Sequence, residues 1–151
     1  MDTGTRYVHA LYCDDIREEV GGKYSLIGMY GSDLVIQSPG IVSLPKLCVV
    51  ARVVTAIHHP FRELRVQVLR DAGDQQEEVI STGAITLPEV RDFPADARTV
   101  DMQVMLVMAP FAVAGDCLLR VRALTESGVL EGQALRIRHV AEAAGGQPTR
   151  H

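Results

Sequence analysis

Cysteine is scarce in this chain, and the three that occur do not pair by spacing. Cys13, Cys48 and Cys117 are odd in number and far apart, with no C-x-x-C. Neither a zinc ribbon nor a redox pair is therefore indicated. Each has apolar neighbours and reads as a buried free thiol, which fits a reducing cytoplasm. Long hydrophobic runs are also missing. The longest, Val104 to Ala114, contains Pro110 and is far short of the roughly 20 residues a membrane helix needs. The opening MDTGTRYVHALYCDD lacks the basic and apolar regions of a secretory signal. The expectation is a soluble cytoplasmic protein that does not engage a membrane. There is no excess of positive charge: a formal −4 and a pI near 5.7 argue against a general nucleic-acid binder. Tryptophan is absent, but 47% hydrophobic and 23% charged residues are ordinary for a globular chain. A domain of 151 residues buries about 70% of its unfolded surface, so neither a metal nor a disulfide staple is required. No cofactor is expected.

Helical spacing is absent from every long stretch, and period-two alternation takes its place, the mark of strands with one buried face. Tyr12 to Ser32, YCDDIREEVGGKYSLIGMYGS, is the most distinctive segment. It reads as a strand from Tyr7 to Cys13, an acidic connection, a reversal at Gly21-Gly22, and a second strand from Tyr24 to Tyr30 that Asp33 to Gln37 extends. Glycine reaches positive φ without steric cost, which suits the reversal. Further strands are expected at Leu47–Ile57, Glu63–Asp71, Glu77–Leu87, Val100–Val113, Cys117–Leu124 and Ala134–Val140. Pro110 bends the Val100–Val113 strand or ends its pairing. Pro88 to Arg98 is a long polar connection, and residues 141–151 form a flexible tail. The whole reads as one all-β domain over residues 1–140. About eight strands make an antiparallel β-sandwich of immunoglobulin-like or C2-like topology, with a closed barrel as the alternative.

The opening resembles a family of short bacterial and phage proteins that share a domain of unknown function. The resemblance rests on Cys13-Asp14-Asp15-Ile16-Arg17-Glu18-Glu19, Gly21-Gly22-Lys23, Ser25-Leu26-Ile27-Gly28 and Tyr30. Leu44-Pro45-Lys46-Leu47 and Gly132-Gln133-Ala134-Leu135-Arg136 extend it, so that it spans Tyr7 to Val140. It implies one compact bacterial domain and brings no catalytic residues with it.

No G-x-S-x-G, H-E-x-x-H or G-x-G-x-x-G occurs, and Tyr24 stands where a phosphate loop needs Ser or Thr. Three groups of residues remain. Asp14, Asp15, Glu18 and Glu19 are a candidate cation site, since a hard cation takes several carboxylate oxygens from a loop. A solvated acidic turn, offset by Arg17 and Lys23, is the plainer reading. His58-His59 invites zinc with Cys13 or His9, but adjacent strand residues face opposite ways and no spaced ligand set exists. Arg120, Arg122, Arg136 and Arg138 would share one side of a hairpin. That makes either an anion-binding patch or a mixed-charge face in which Glu63, Glu78 or Asp101 intersperse. Met105 and Val107 lie opposite Val104, Leu106 and Met108, so one set needs a cover outside the core. That cover is either the Pro88–Arg98 loop of the same chain or the same strand of a second copy in a two-fold contact, and the two-fold contact is the expectation. The leading expectation is a non-enzymatic module that binds a protein or assembles as a homodimer. The competing readings are a small metal-dependent hydrolase using the acidic loop and a histidine, and an anion or nucleic-acid binder using the arginine face.

Overall fold

Alternating residues become strand along most of the chain. The computed structural model describes residues 5–87 and 93–140, and no helix occurs among them. The strands run β1 Tyr7–Glu19, β2 Lys23–Met29, β3 Asp33–Ile36, β4 Val42–Leu44, β5 Leu47–Ala56 and β6 Leu64–Ala72. They continue as β7 Gln75–Ser81, β8 Thr99–Met108, β9 Phe111–Val113, β10 Cys117–Thr125 and β11 Gly128–His139. They form two open sheets, β2-β1-β5-β8 and β3-β11-β10-β6-β7, with a short β4-β9 ribbon. The all-β sandwich expected from the alternation is present, with eleven described strands in place of about eight.

The inward faces explain why the sheets pack. Val8, Ala10 and Tyr12 of β1 and Val49, Ala51 and Val53 of β5 are buried. They meet Leu64, Val66 and Val68 of β6, Leu119, Val121 and Ala123 of β10, and Leu135 and Ile137 of β11 in one core. Burying each such aliphatic side chain contributes on the order of 2 kcal/mol. Phe111 and Val113 of β9 join the same core.

Two local devices bring the sheets together at β1 and β11. An extra residue bulges β11 opposite Arg120–Arg122 of β10. The bulge lies beside Gln133, whose Oε1 accepts the Ala10 backbone N–H at 2.6 Å. That N–H lies on the edge of β1 that β2, paired only from Cys13 onward, does not cover. Gln133 thereby satisfies a backbone donor that would otherwise be buried without a partner. Beside it, a Cβ on Gly132 would sit 3.4 Å from the side chains of both Ala10 and Val8. A Cβ there would just reach contact with both, and a larger side chain would push the two layers apart.

Several expectations are corrected. Asp14–Glu19 is strand rather than a connection, and the reversal is confined to residues 20–22, with Gly21 and Gly22 at φ 87° and 73°. Beyond Cys13, β1 leaves β5 and pairs only with β2, so both faces of this ribbon accept polar residues. Asp33–Ile36 does not extend β2. It crosses to the other sheet and pairs with β11, in parallel within an otherwise antiparallel fold. β7 ends at Ser81, well short of Leu87. β11 begins at Gly128, so the last hairpin turns tightly instead of through a long loop. Pro110 does end a pairing: β8 stops at Met108 and β9 pairs with β4. The expected tail, residues 141–151, and the first part of the long connection, residues 88–92, lie outside the described residues.

Candidate functional site

The outer face of the four-stranded sheet is a grid set by register. His9, Arg52 and Gln103 stand side by side across β1, β5 and β8. The next row is Leu11, Val50 and Met105, and the one after it Cys13, Cys48 and Val107. On the other side of the polar row come Tyr7, Val54 and Asp101. Gly22, Tyr24 and Leu26 of the β1–β2 hairpin line a cleft of about 600 Å³ together with His9, Leu11, Val50, Arg52, Asp101 and Gln103. The hairpin end thus arches over the face it grows from, as the coiling of a twisted sheet allows. Arg52 Nε lies 3.0 Å from Asp101 Oδ2, and both side chains are about half exposed.

The acidic run stands at the root of that arch. Tyr30 Oη donates to Asp14, whose carboxylate packs against Gly28 at φ 67°. Asp15 meets Lys46 at 3.0 Å, and this hydrogen bond holds its carboxyl below the usual carboxylate range. Glu18 and Glu19 are exposed near the tip. Strand alternation places Asp14 and Glu18 on one side and Asp15 and Glu19 on the other. Among the described residues no three His, Cys, Asp or Glu side chains are grouped so as to hold a metal. His58 and His59 lie beyond the far end of the ten-residue β5, which spans roughly 30 Å from Leu47 by strand rise. The acids and these histidines are not brought together.

Cys13 and Cys48 face each other across β1 and β5, both fully buried and free. Burial pushes the Cys13 thiol up to about 11 and raises that of Cys48 as well. Their S–H groups donate to the Asp15 and Asp14 carbonyls at 3.4 and 3.8 Å. Protonated, hydrogen-bonded thiols of this kind are poor nucleophiles.

The four arginines do line one side of the β10–β11 hairpin, though the acids among them differ from those expected. Arg120 pairs with Asp71 at 2.5 Å, Arg122 with Glu131 at 2.7 Å, and Arg138 with Asp33 at 3.5 Å. Glu78 serves Arg65, and Asp101 belongs to the other sheet. Arg136 is exposed and has no carboxylate partner among the described residues. Three of the four charges are thus locally balanced.

Met105 and Val107 lie on the outer face as expected, Met105 half-buried and Val107 46% exposed. Sequence reading missed the His9–Arg52–Gln103 row. One signal was present: Arg52 is the single charged residue in the apolar run LCVVARVVTAI. It also missed a clamp at the far end of the sandwich. There the Arg6 guanidinium reaches Glu126 at 2.8 Å, Thr55 Oγ1 at 2.9 Å and the carbonyls of His59 and Pro60 at 3.1 Å. It also lies 4.6 Å from the Phe61 ring centre.

Neither protein-family models nor curated proteins give a match to this chain.

Proposed function

We propose that this chain is a non-enzymatic module that assembles with a second copy of itself through the open edge of β8. A comparison of the four sheet edges supports this reading. Exposed edges are ordinarily guarded by charge, short length or local breaks, because unpaired backbone groups recruit other strands. β7 carries Gln75, Gln76, Glu77 and Glu78; β3 is four residues long; β2 contains Gly28 at positive φ. β8 has ten residues, and its stretch Val104–Met108 carries no charge, glycine or proline. Among the described residues no strand pairs with its outer edge.

The stretch is also self-complementary. In an antiparallel pair centred on Leu106, Met105 of one copy meets Val107 of the other, and Val104 meets Met108. Apolar residues then oppose each other on both faces, the favourable arrangement for cross-strand pairs, and a two-fold axis generates it. The observation that carries the reading is the exposed Val107 on this unguarded edge.

Sedimentation at tens of micromolar tests it, the range in which a modest interface is populated. The wild type is expected to sediment as a dimer and Val107→Asp as a folded monomer, because a carboxylate in the apolar contact is costly to desolvate. A monomeric wild type overturns the reading.

A further inference from the structure

We infer that the cleft beneath the β1–β2 hairpin is a binding site for a neutral polyhydroxylated ligand, one or two sugar rings in size. Three observations on the cleft carry this.

Its volume of about 600 Å³ is within the range of small-molecule sites. Its floor is polar in a particular way. Arg52 supplies donors, Asp101 acceptors, and Gln103 and His9 both, from neighbouring positions on three strands. Among the described lining residues the only formal charges, Arg52 and Asp101, neutralise each other at 3.0 Å. An anion would be attracted by Arg52 and repelled by Asp101, and a cation the reverse. A hydroxyl donates to one and accepts from the other, and adjacent hydroxyls on a ring bridge the pair without bringing charge into the cleft.

The third observation is the apolar strip beside the polar row. Leu11 and Val50 of the floor and Leu26 and Tyr24 of the roof are half-buried, buried, half-buried and exposed respectively. A sugar ring has the matching division, hydroxyls around its rim and C–H groups on its face. The C–H face packs on aliphatic and aromatic carbon, while the rim reaches the polar row. The sheet register fixes the backbone positions of His9, Arg52 and Gln103 before any ligand arrives, and the ion pair with Asp101 holds the Arg52 side chain. The site needs no second copy of the chain, since the residues invoked for self-association begin at Val104.

Two-dimensional ¹H–¹⁵N NMR of the full chain tests this, with glucose, galactose, mannose, maltose and cellobiose titrated in turn. At least one sugar is expected to give saturable shifts at the Arg52 Nε–H and Gln103 amide signals, with a dissociation constant on the order of 1 mM or tighter. Gln103→Ala is expected to weaken binding at least tenfold with its melting temperature unchanged, and Asp101→Asn to weaken it while leaving the backbone spectrum intact. Sodium phosphate and leucine serve as charged and zwitterionic controls. The inference is overturned if no sugar gives saturable shifts, if the shifts map outside the cleft, if Gln103→Ala and Asp101→Asn both bind like the wild type, or if either control saturates the cleft in place of the sugars.

Discussion

Glu126→Gln isolates the ion pair that ties the start of β1 to the β10–β11 turn. Arg6 and Glu126 are 120 positions apart, and their side chains are 6% and 19% exposed. The Arg6 hydrogen bonds, with help from the Arg62 backbone N–H, lower the Glu126 carboxyl from its ordinary 4.5 to about 2. A depressed carboxylate stabilises the fold above its unfolded pKa, and that stability is lost as pH falls through the folded value. The window is therefore pH 5 down to pH 2. At 1.36 kcal/mol per unit, the shift corresponds to a ceiling of about 3 kcal/mol, and partial exposure brings the expected figure to about 2 kcal/mol. Urea unfolding of wild type and Glu126→Gln, at steps from pH 6 to pH 2, gives the difference directly. The variant should be less stable by about 2 kcal/mol at pH 6, and the gap should close toward pH 2. Other carboxylates titrate in both proteins and cancel in the comparison. A gap that stays constant across the window would refute the argument, because the loss would then come from packing rather than charge.

Gly132→Val should destabilise the fold by about 2 kcal/mol or more in urea, since the branched side chain must displace Ala10 and Val8. Gly28→Ala combines a positive φ with overlap onto the Asp14 carboxylate and should cost about 1–3 kcal/mol; an unchanged midpoint would contradict the geometry. Addition of EDTA should leave the melting temperature unaltered, because a required cation would stabilise the fold by linkage. A fall of several degrees that Ca²⁺ or Zn²⁺ reverses would show that the acidic run holds a metal.

Where one face of a strand is buried and the other wet, the element was legible. ELRVQVLRD alternates cleanly and becomes β6, and the β-branched run from Leu47 becomes β5. The acidic half of β1 misled because that ribbon extends past its sheet and has no buried face to impose alternation. The start of β11 was hidden by its bulge, which shifts the period by one residue between Glu131 and Ala134. The crossing of β3 to the second sheet depends on Asp33–Ile36 finding β11, more than a hundred residues away, and local pattern carries no such information. The cleft was out of reach for the same reason. His9, Arg52 and Gln103 form a row only once β1, β5 and β8 are in register.

Amide hydrogen exchange along β8, measured across a range of protein concentration, tests self-association at its proposed edge. Pairing of two copies predicts that the amides of Val104–Met108 pointing away from β5 become more protected as concentration rises and lose that protection on dilution. Those bonded to β5 should change far less. Protection of the outer amides that is independent of concentration would contradict the account.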